Sequence, residues 1–287
     1  MHSDETTLVT PASRLSRMMA FARREPLVTL CLLFLLLLAA AALFPDVLAP
    51  GNPTKGVLKE ARNGPSWAHL FGTDAIGRDV FSRVVHGTRI SLSVSVLAVA
   101  TGLVVGGLVG LVSGYFGGWV DAIVMRFIDV MMAFPGVLLA MAIIAARGRS
   151  IDNLILAIGI SAVPDYARLV RGQVLSLRKL PFVEGSIASG AGPVRIMLRH
   201  ILPNLLRPVI VFATIGAGFA LLASSAFSFI GLGAQPPSPE WGAMLADGRS
   251  SLADAWWMGA FPGLAIFLTV IAVNVVSQWL RERTQSI

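Results

Sequence analysis

Glu184, Gly190, His200, Pro203 and Asn204 follow one another as E-x5-G-x9-H-x-x-P-N in a polar, basic stretch between long apolar runs. These residue types at this spacing do not make a reaction centre. A glutamate in the first turn of a short helix, a glycine break and a second helix with basic residues on one face make a surface element, with a docking partner as the leading reading. The chemistry of bond-making is missing elsewhere too. The chain has only three lysines, and none follows a glycine, so there is no phosphate-cradling G-x-x-x-x-G-K-[ST] loop. His2, His69, His86 and His200 lack metal-ligand spacing, and there is no H-E-x-x-H. The one cysteine, Cys31, lies inside the first apolar run and has no nucleophile–histidine pattern around it. The expectation is a chain with no catalytic residue, no metal site and no cofactor of its own.

The docking stretch is built from recognisable signals. Leu180-Pro181 separates one helix from the next, because proline disfavours helical backbone in the residue before it. Phe182–Ser189 reads as a short helix with Glu184 in its first turn, where negative charge suits the helix dipole. Gly190-Ala191-Gly192 breaks it, and Pro193 suits the first position of another helix. In that second helix Val194, Met197, Leu198 and Ile201 form an apolar stripe with Arg195 and Arg199 on another face. Leu202-Pro203-Asn204 is expected to close it. From the pattern alone, the element fits either an amphipathic helix lying on lipid headgroups or a site for a protein partner.

Composition sets the solvent around this element. Of 287 residues, 55% are hydrophobic and 14% are charged, against about a quarter charged in soluble domains. So few charges cannot cover a water-exposed surface, and the bilayer takes that place. A single cysteine excludes a disulfide-stapled fold. The net charge of +7 gathers beside apolar runs, as the positive-inside bias predicts, and does not point to nucleic acid. The apolar segments fall at about 27–44, 90–113, 120–146, 151–170, 205–230 and 256–280, each near the roughly 20 residues that cross the hydrocarbon core. The expected fold is an all-α integral membrane protein of six transmembrane helices. It has a cytoplasmic N-terminal segment 1–26 carrying Arg14, Arg17, Arg23 and Arg24, an uncleaved first helix, and one membrane domain over 27–287. Cytoplasmic connections are expected at 114–119, 171–204 and 281–287, and outer ones at 45–89, 147–150 and 231–255. The 171–204 loop holds Arg171, Arg178, Lys179, Arg195 and Arg199. The long outer loop also holds six basic residues, but long loops are weak topology signals.

Three further groups stand out. Gly72-Thr73-Asp74 and Gly77-Arg78-Asp79 form a polar outer motif in which Asp74 is expected to cap a turn. Arg126 and Asp129 are three apart, share a helix face and are expected to pair at membrane depth; an ion-coupled carrier would use such a pair. Pro135 is expected to kink its helix. Trp241, in a proline-rich outer loop, is expected to anchor at the membrane interface.

The E-x5-G-x9-H-x-x-P-N spacing resembles the EAA loop of ATP-binding-cassette (ABC) importer permeases. FGTDAIGRDVFSR (71–83), SGYFGGWVDAIVMRFIDV (113–130), YARLVRGQVLSLR (166–178) and FSFIGLGAQPPSPEWGAML (227–245) occur in the order seen in the C-type permease of the dipeptide/oligopeptide/nickel family. The resemblance runs from about Gly64 to Leu280. It implies the type I importer permease fold, with Glu184, Gly185, Ser186 and Gly190 on a coupling helix seated in a cytoplasmic ATPase, and Arg195, Arg199, His200 and Pro203 bracing the helix that follows. It implies a homologous B-type permease, two ABC ATPases or one fused pair that bind ATP and Mg, an extracytoplasmic substrate-binding protein near the 72–79 motif, and the bacterial or archaeal inner membrane with both termini cytoplasmic. Peptide or glutathione is the implied substrate, with a nickel complex as the alternative. Three stretches depart from the family pattern. Gly185-Ser186 replaces Ala-Ala, Ala223–Ala226 has no acidic residue, and Ser277-Gln278-Trp279 replaces a Gly-Asp pair.

Overall fold

The computed structural model describes residues 20–285; most of the expected N-terminal segment, with Arg14 and Arg17, lies outside the described residues. Eleven helices are labelled here in chain order: α1 Pro26–Leu43, α2 Pro45–Leu48, α3 Val80–Phe116, α4 Gly118–Met132, α5 Gly136–Arg147, α6 Ile151–Leu177, α7 Pro181–Ala188, α8 Pro193–Ile196, α9 Leu202–Phe229, α10 Trp241–Arg249 and α11 Trp257–Gln285. Among the described residues, extended pairing is limited to an isolated bridge between Thr73 and Asp79. The all-α reading holds.

Five helices are long and apolar enough to cross a membrane, and α4 with α5 makes a sixth, broken span. The order of contacts shows why the broken pair counts as a crossing. Gly102, Gly106, Gly110 and Gly114 of α3 lie against 159–166, 163–167, 167–171 and 171–174 of α6, with numbers rising together. Parallel neighbours begin on the same side, so α4 and α5 must carry the chain back across between them. The connection is more abrupt than the expected kink. Residues 133–135 break the helix and the two halves turn by 85°. Pro135 has extended ψ and serves as the N-cap of α5, because it cannot donate a backbone bond to the end of α4.

The helices also run past their expected membrane limits. α3 has 37 residues, about 55 Å at 1.5 Å per residue, against a hydrocarbon core of about 30 Å. It starts at Val80 because the Asp79 carboxylate accepts a hydrogen bond from Ser82 N at 2.7 Å, an N-cap, and it ends where Gly117 takes φ +63°. The irregular segment expected over 45–89 therefore ends at residue 79. α6 continues to Leu177 through an internal Pro164, which shortens the loop before α8 to residues 178–192.

Close packing of α3 on α6 is the centre of the bundle. Gly102, Gly106, Gly110 and Gly114 recur every fourth residue, the small-xxx-small spacing that lets membrane helices approach. A methyl group on Gly110 would sit 2.3 Å from the Ala167 carbonyl oxygen, and one on Gly106 would sit 2.5 Å from that of Val163. Two apolar clusters flank this seam. One gathers Val94, Ala98, Ile144 and Leu154. The other gathers Leu111, Val174, Ile196 and Ile201.

Candidate functional site

The polar element between α6 and α9 is built by local rules. Pro181 occupies the first turn of α7 after an extended Leu180. Gly190 ends the helix in the left-handed region at φ +77°. Its N–H donates to the Ile187 carbonyl at 3.0 Å, while Ala191 N–H donates to Ser186 O at 3.1 Å. This paired capping is the Schellman arrangement, which glycine adopts without a Cβ penalty. The Ser186 and Ser189 hydroxyls donate back to the carbonyls of Phe182 and Gly185, both at 2.8 Å.

The small helix is pinned at one point. Val183 is fully buried with Val174, Ile196, Ile201 and Leu205. Leu180, Phe182 and Ile187 stay exposed on its other faces, with Glu184 beside them. The outcome is a rigid knob with an apolar, acid-bearing outer surface. His200 braces it from the next helix, its Nε2 3.4 Å from Ser186 Oγ and its ring 6.4 Å from that of Phe182. Asn204 Nδ2 donates to the His200 carbonyl at 2.7 Å. Arg178 lies over the Tyr115 ring at 5.6 Å and ties the start of the loop to the end of α3. Arg195 and Arg199 are exposed.

Two expectations about the second helix are corrected. Leu202-Pro203-Asn204 does not close it, since the chain stays helical from Pro193 to Phe229. A π turn over Met197–Ile201, in which Leu202 N–H reaches back to Met197 O, widens the helix where the Pro203 ring would strike the carbonyl four residues earlier. The buried face is also different. Ile196 and Ile201 are inside, whereas Val194 and Leu198 face out, because the helix must present its core face to α3 and α6.

On the other end of α3, the 72–79 motif is a compact polar latch. Thr73 N–H donates to Asn63 O at 2.9 Å, and the Thr73 carbonyl accepts from Trp257 Nε1 at 3.0 Å. Asp74 does cap a turn. Its Oδ1 accepts from Ile76 N at 3.0 Å and Arg78 N at 2.9 Å. It also anchors ions: Oδ2 meets Arg78 Nε at 2.5 Å and Arg83 Nε at 3.7 Å. Asp247 of α10 approaches the same two arginines at 3.8 and 4.0 Å. Burial lifts the Asp247 carboxyl above its ordinary range, opposed by Arg83 and Arg78. Gly77 stands at φ +79° with the Val57 carbonyl 1.9 Å from where a Cβ would be, so the turn closes only with glycine. Trp241 is not an interface anchor. It is completely buried, its Nε1 donating to Val84 O at 2.9 Å, over Gly87, which leaves room for the ring. Glu240 caps α10 by accepting from Ala243 N at 2.9 Å, and burial raises its carboxyl pKa despite the hydrogen bonds it accepts.

The expected Arg126–Asp129 pair does not form. Asp129 bonds Arg168 of α6 at 2.7 Å, and Arg126 is exposed. The face-sharing rule treats α4 alone, whereas α6 supplies a guanidinium directly opposite Asp129. About two turns earlier on α4, Asp121 accepts from Arg171 Nε and Nη2, both at 2.5 Å, in a bidentate pair. Sequence reasoning missed both cross-helix pairs. The signal was present as acids eight apart on one helix and arginines three apart on the other.

Residues 106–285 match the family described as binding-protein-dependent transport system inner membrane component. The glutathione transport system permease protein GsiD of Pectobacterium atrosepticum is 44% identical over 251 residues, 87% of this chain and 83% of that protein. Its counterparts from Escherichia coli O6:K15:H31 and Shigella sonnei are 44% identical over 261 residues, 91% of this chain and 86% of theirs. Among solved structures, a chain from the inward-facing MetNI methionine ABC transporter superposes with TM-score 0.54 at 20% identity, covering 69% of this chain and 96% of that one, a likeness of fold. An importer permease works with ATPase and substrate-binding partners and carries out no catalysis itself. The chain belongs to the binding-protein-dependent transport system inner membrane components and is a multi-pass permease subunit of an ABC importer.

Proposed function

We propose that the chain forms half of a translocation pathway for short peptides, glutathione among them, and that α7 is the helix through which cytoplasmic ATPases drive it. The observation that carries this reading is the knob at Pro181–Ala188, pinned inward by Val183 and presenting Phe182, Glu184 and Ile187 outward. Exposed apolar side chains beside an acidic one, on a helix whose C-terminus is closed by the Gly190 cap, suit insertion into a protein cleft. The 44% identity to glutathione permeases supports the substrate class.

In this reading a homologous B-type permease completes the pathway. Two ATPase subunits, or one fused pair, bind ATP and Mg, and an extracytoplasmic receptor delivers substrate near the 72–79 latch. Both termini lie in the cytoplasm of a bacterial or archaeal cell, residues 27–287 form the membrane domain, and Arg195, Arg199, His200 and Pro203 support the coupling knob. The test is a full complex in proteoliposomes, with Cys31 replaced by Ser and Ile187 by Cys. The introduced cysteine is expected to cross-link to an ATPase subunit. Glu184→Lys is expected to abolish stimulation of ATP hydrolysis by the peptide-loaded receptor. A knob that never cross-links, or that tolerates Glu184→Lys together with Gly190→Val without loss of stimulation, removes the basis for this reading.

A further inference from the structure

A cavity of about 490 Å³ opens between α3, α5, α6 and α9, within the size range of small-molecule sites. Its walls are mainly apolar, with Val99, Val137, Phe212 and Phe219 among them. Three polar residues line it, all from α6: Ser161, Asp165 and Tyr166. Asp165 stands 14 residues into α6, about 21 Å along the helix, within a 27-residue segment long and apolar enough to cross a membrane. A carboxylate at that depth faces protein or water rather than lipid tails, and marks a functional position by default. Among the described residues no cation lies within ion-pair distance of it; the nearby Arg168 is engaged with Asp129 at 2.7 Å.

Tyr166 supplies a second, independent observation. The residue is 2% exposed and its hydroxyl is buried without a hydrogen-bond partner. Buried hydroxyls normally have one. Gly216 of α9 makes the space, since a Cβ there would stand 2.4 Å from the Tyr166 oxygen. A second cavity, of about 220 Å³, shares the Phe212 and Ile215 walls and continues along α6 past Gln173 to Arg281. The site thus lies on a series of openings that runs along α6 towards α7.

We propose that Asp165 and Tyr166 form a recognition point for the free amino end of a peptide in transit. Asp165 takes the ammonium, the Tyr166 hydroxyl bonds the first peptide group, and the apolar wall accepts the adjoining side chain. This inference rests on the peptide reading above. A cationic group is the chemistry that fits, because the ionisable group lining the cavity is an acid and the rest of the wall offers no competing charge.

The experiment is uptake of a free-amino dipeptide and its N-acetylated form, both accepted by the receptor, into proteoliposomes holding the complete transporter. The variants are Asp165→Asn and Tyr166→Phe. Asp165→Asn is expected to lower uptake of the free-amino peptide about tenfold or more, the scale of one charge-assisted hydrogen bond, while uptake of the acetylated peptide and unstimulated ATP hydrolysis stay as in the parent. Tyr166→Phe removes an unpartnered hydroxyl at no packing cost, so it reports even where Asp165→Asn fails to assemble, and a several-fold loss is expected. Equal losses for both peptides, or no loss in Tyr166→Phe and in an assembled Asp165→Asn, overturn the assignment. A parent transporter that moves neither peptide refutes the peptide reading instead.

Discussion

Gly107 and Gly110 are three residues apart on α3, and the structure assigns them opposite responses to the same added methyl group. A Cβ on Gly107 would find Leu103 Cδ1 at 3.9 Å, ordinary contact with a mobile side chain. A Cβ on Gly110 would find the Ala167 carbonyl oxygen at 2.3 Å, the Val170 Cβ at 3.0 Å and the Arg171 nitrogen at 3.0 Å. Contact nearer than about 3.5 Å is repulsive between carbon and its neighbours, so α3 and α6 must separate by roughly 1 Å at this level. Ala gains about 1 kcal/mol over Gly in a helix interior, and that gain is common to both variants. The difference between Gly107→Ala and Gly110→Ala therefore isolates the overpacking cost, about 1–3 kcal/mol. Because the nearest clashing atom at Gly110, the Ala167 carbonyl oxygen, belongs to backbone, which cannot rotate away, the value should lie in the upper part of that range. The assay is reversible unfolding of the purified permease in mixed micelles, monitored by helical ellipticity. Gly107→Ala should match or exceed the parent, and Gly110→Ala should fall below both. Equal stability of the two variants would refute the claim that α3 and α6 meet backbone to backbone.

Three further outcomes follow from the sites described. Asp74→Asn breaks the buried ion pair with Arg78 and leaves Arg78 and Arg83, 8% and 2% exposed, with only the more distant Asp247 as an acidic partner, and should cost about 3 kcal/mol, the usual scale for breaking a buried pair; the same unfolding assay reads it, and a loss below about 0.5 kcal/mol, the range of ordinary surface substitutions, would sink the latch. The raised carboxyl pKa of Glu240 means that the folded state holds this proton more tightly than the unfolded one. Its contribution therefore makes stability fall as pH climbs from the ordinary value of 4.5 to the raised one, and Glu240→Gln should flatten that slope in a pH series of unfolding midpoints. At Gly190, φ is +77° and nothing lies within 4 Å of a new Cβ, so substitutions there are purely torsional. Gly190→Val should loosen the knob by about 1–2 kcal/mol while Gly190→Asn is nearly tolerated, read as hydrogen-exchange protection of residues 181–189.

Local signals in the sequence carried much of this structure. Pro181, Gly190 and Pro193 punctuate the knob where proline and glycine must, and long apolar runs mark α1, α9 and α11. What stayed hidden depended on which helix lies beside which. Arg126 was the obvious partner of Asp129 along one helix, but Arg168, 39 residues away, stands opposite. Trp241 read as a loop aromatic because nothing in its own neighbourhood announces Gly87 or the Val84 carbonyl. The π turn before Pro203 was invisible for a related reason, since tertiary packing of Ile196 and Ile201 holds the helix together across a residue that usually ends one. The glycine row at 102, 106, 110 and 114 was legible and went unread. Its fourfold spacing is visible, but its partner helix is not.

Seen mechanically, that row makes α3 and α6 a laminated beam. Interlocked backbones resist shear far better than side chains that can change rotamer, so a load applied at Leu177, the end of α6, would reach Asp165, 12 residues or about 18 Å away, with little lost to bending. Compliance then has to reside elsewhere. The broken joint at residues 133–135 and the glycine elbow at 190–192 are the places where this chain can yield, which separates a stiff pair of helices from the soft joints on either side of it.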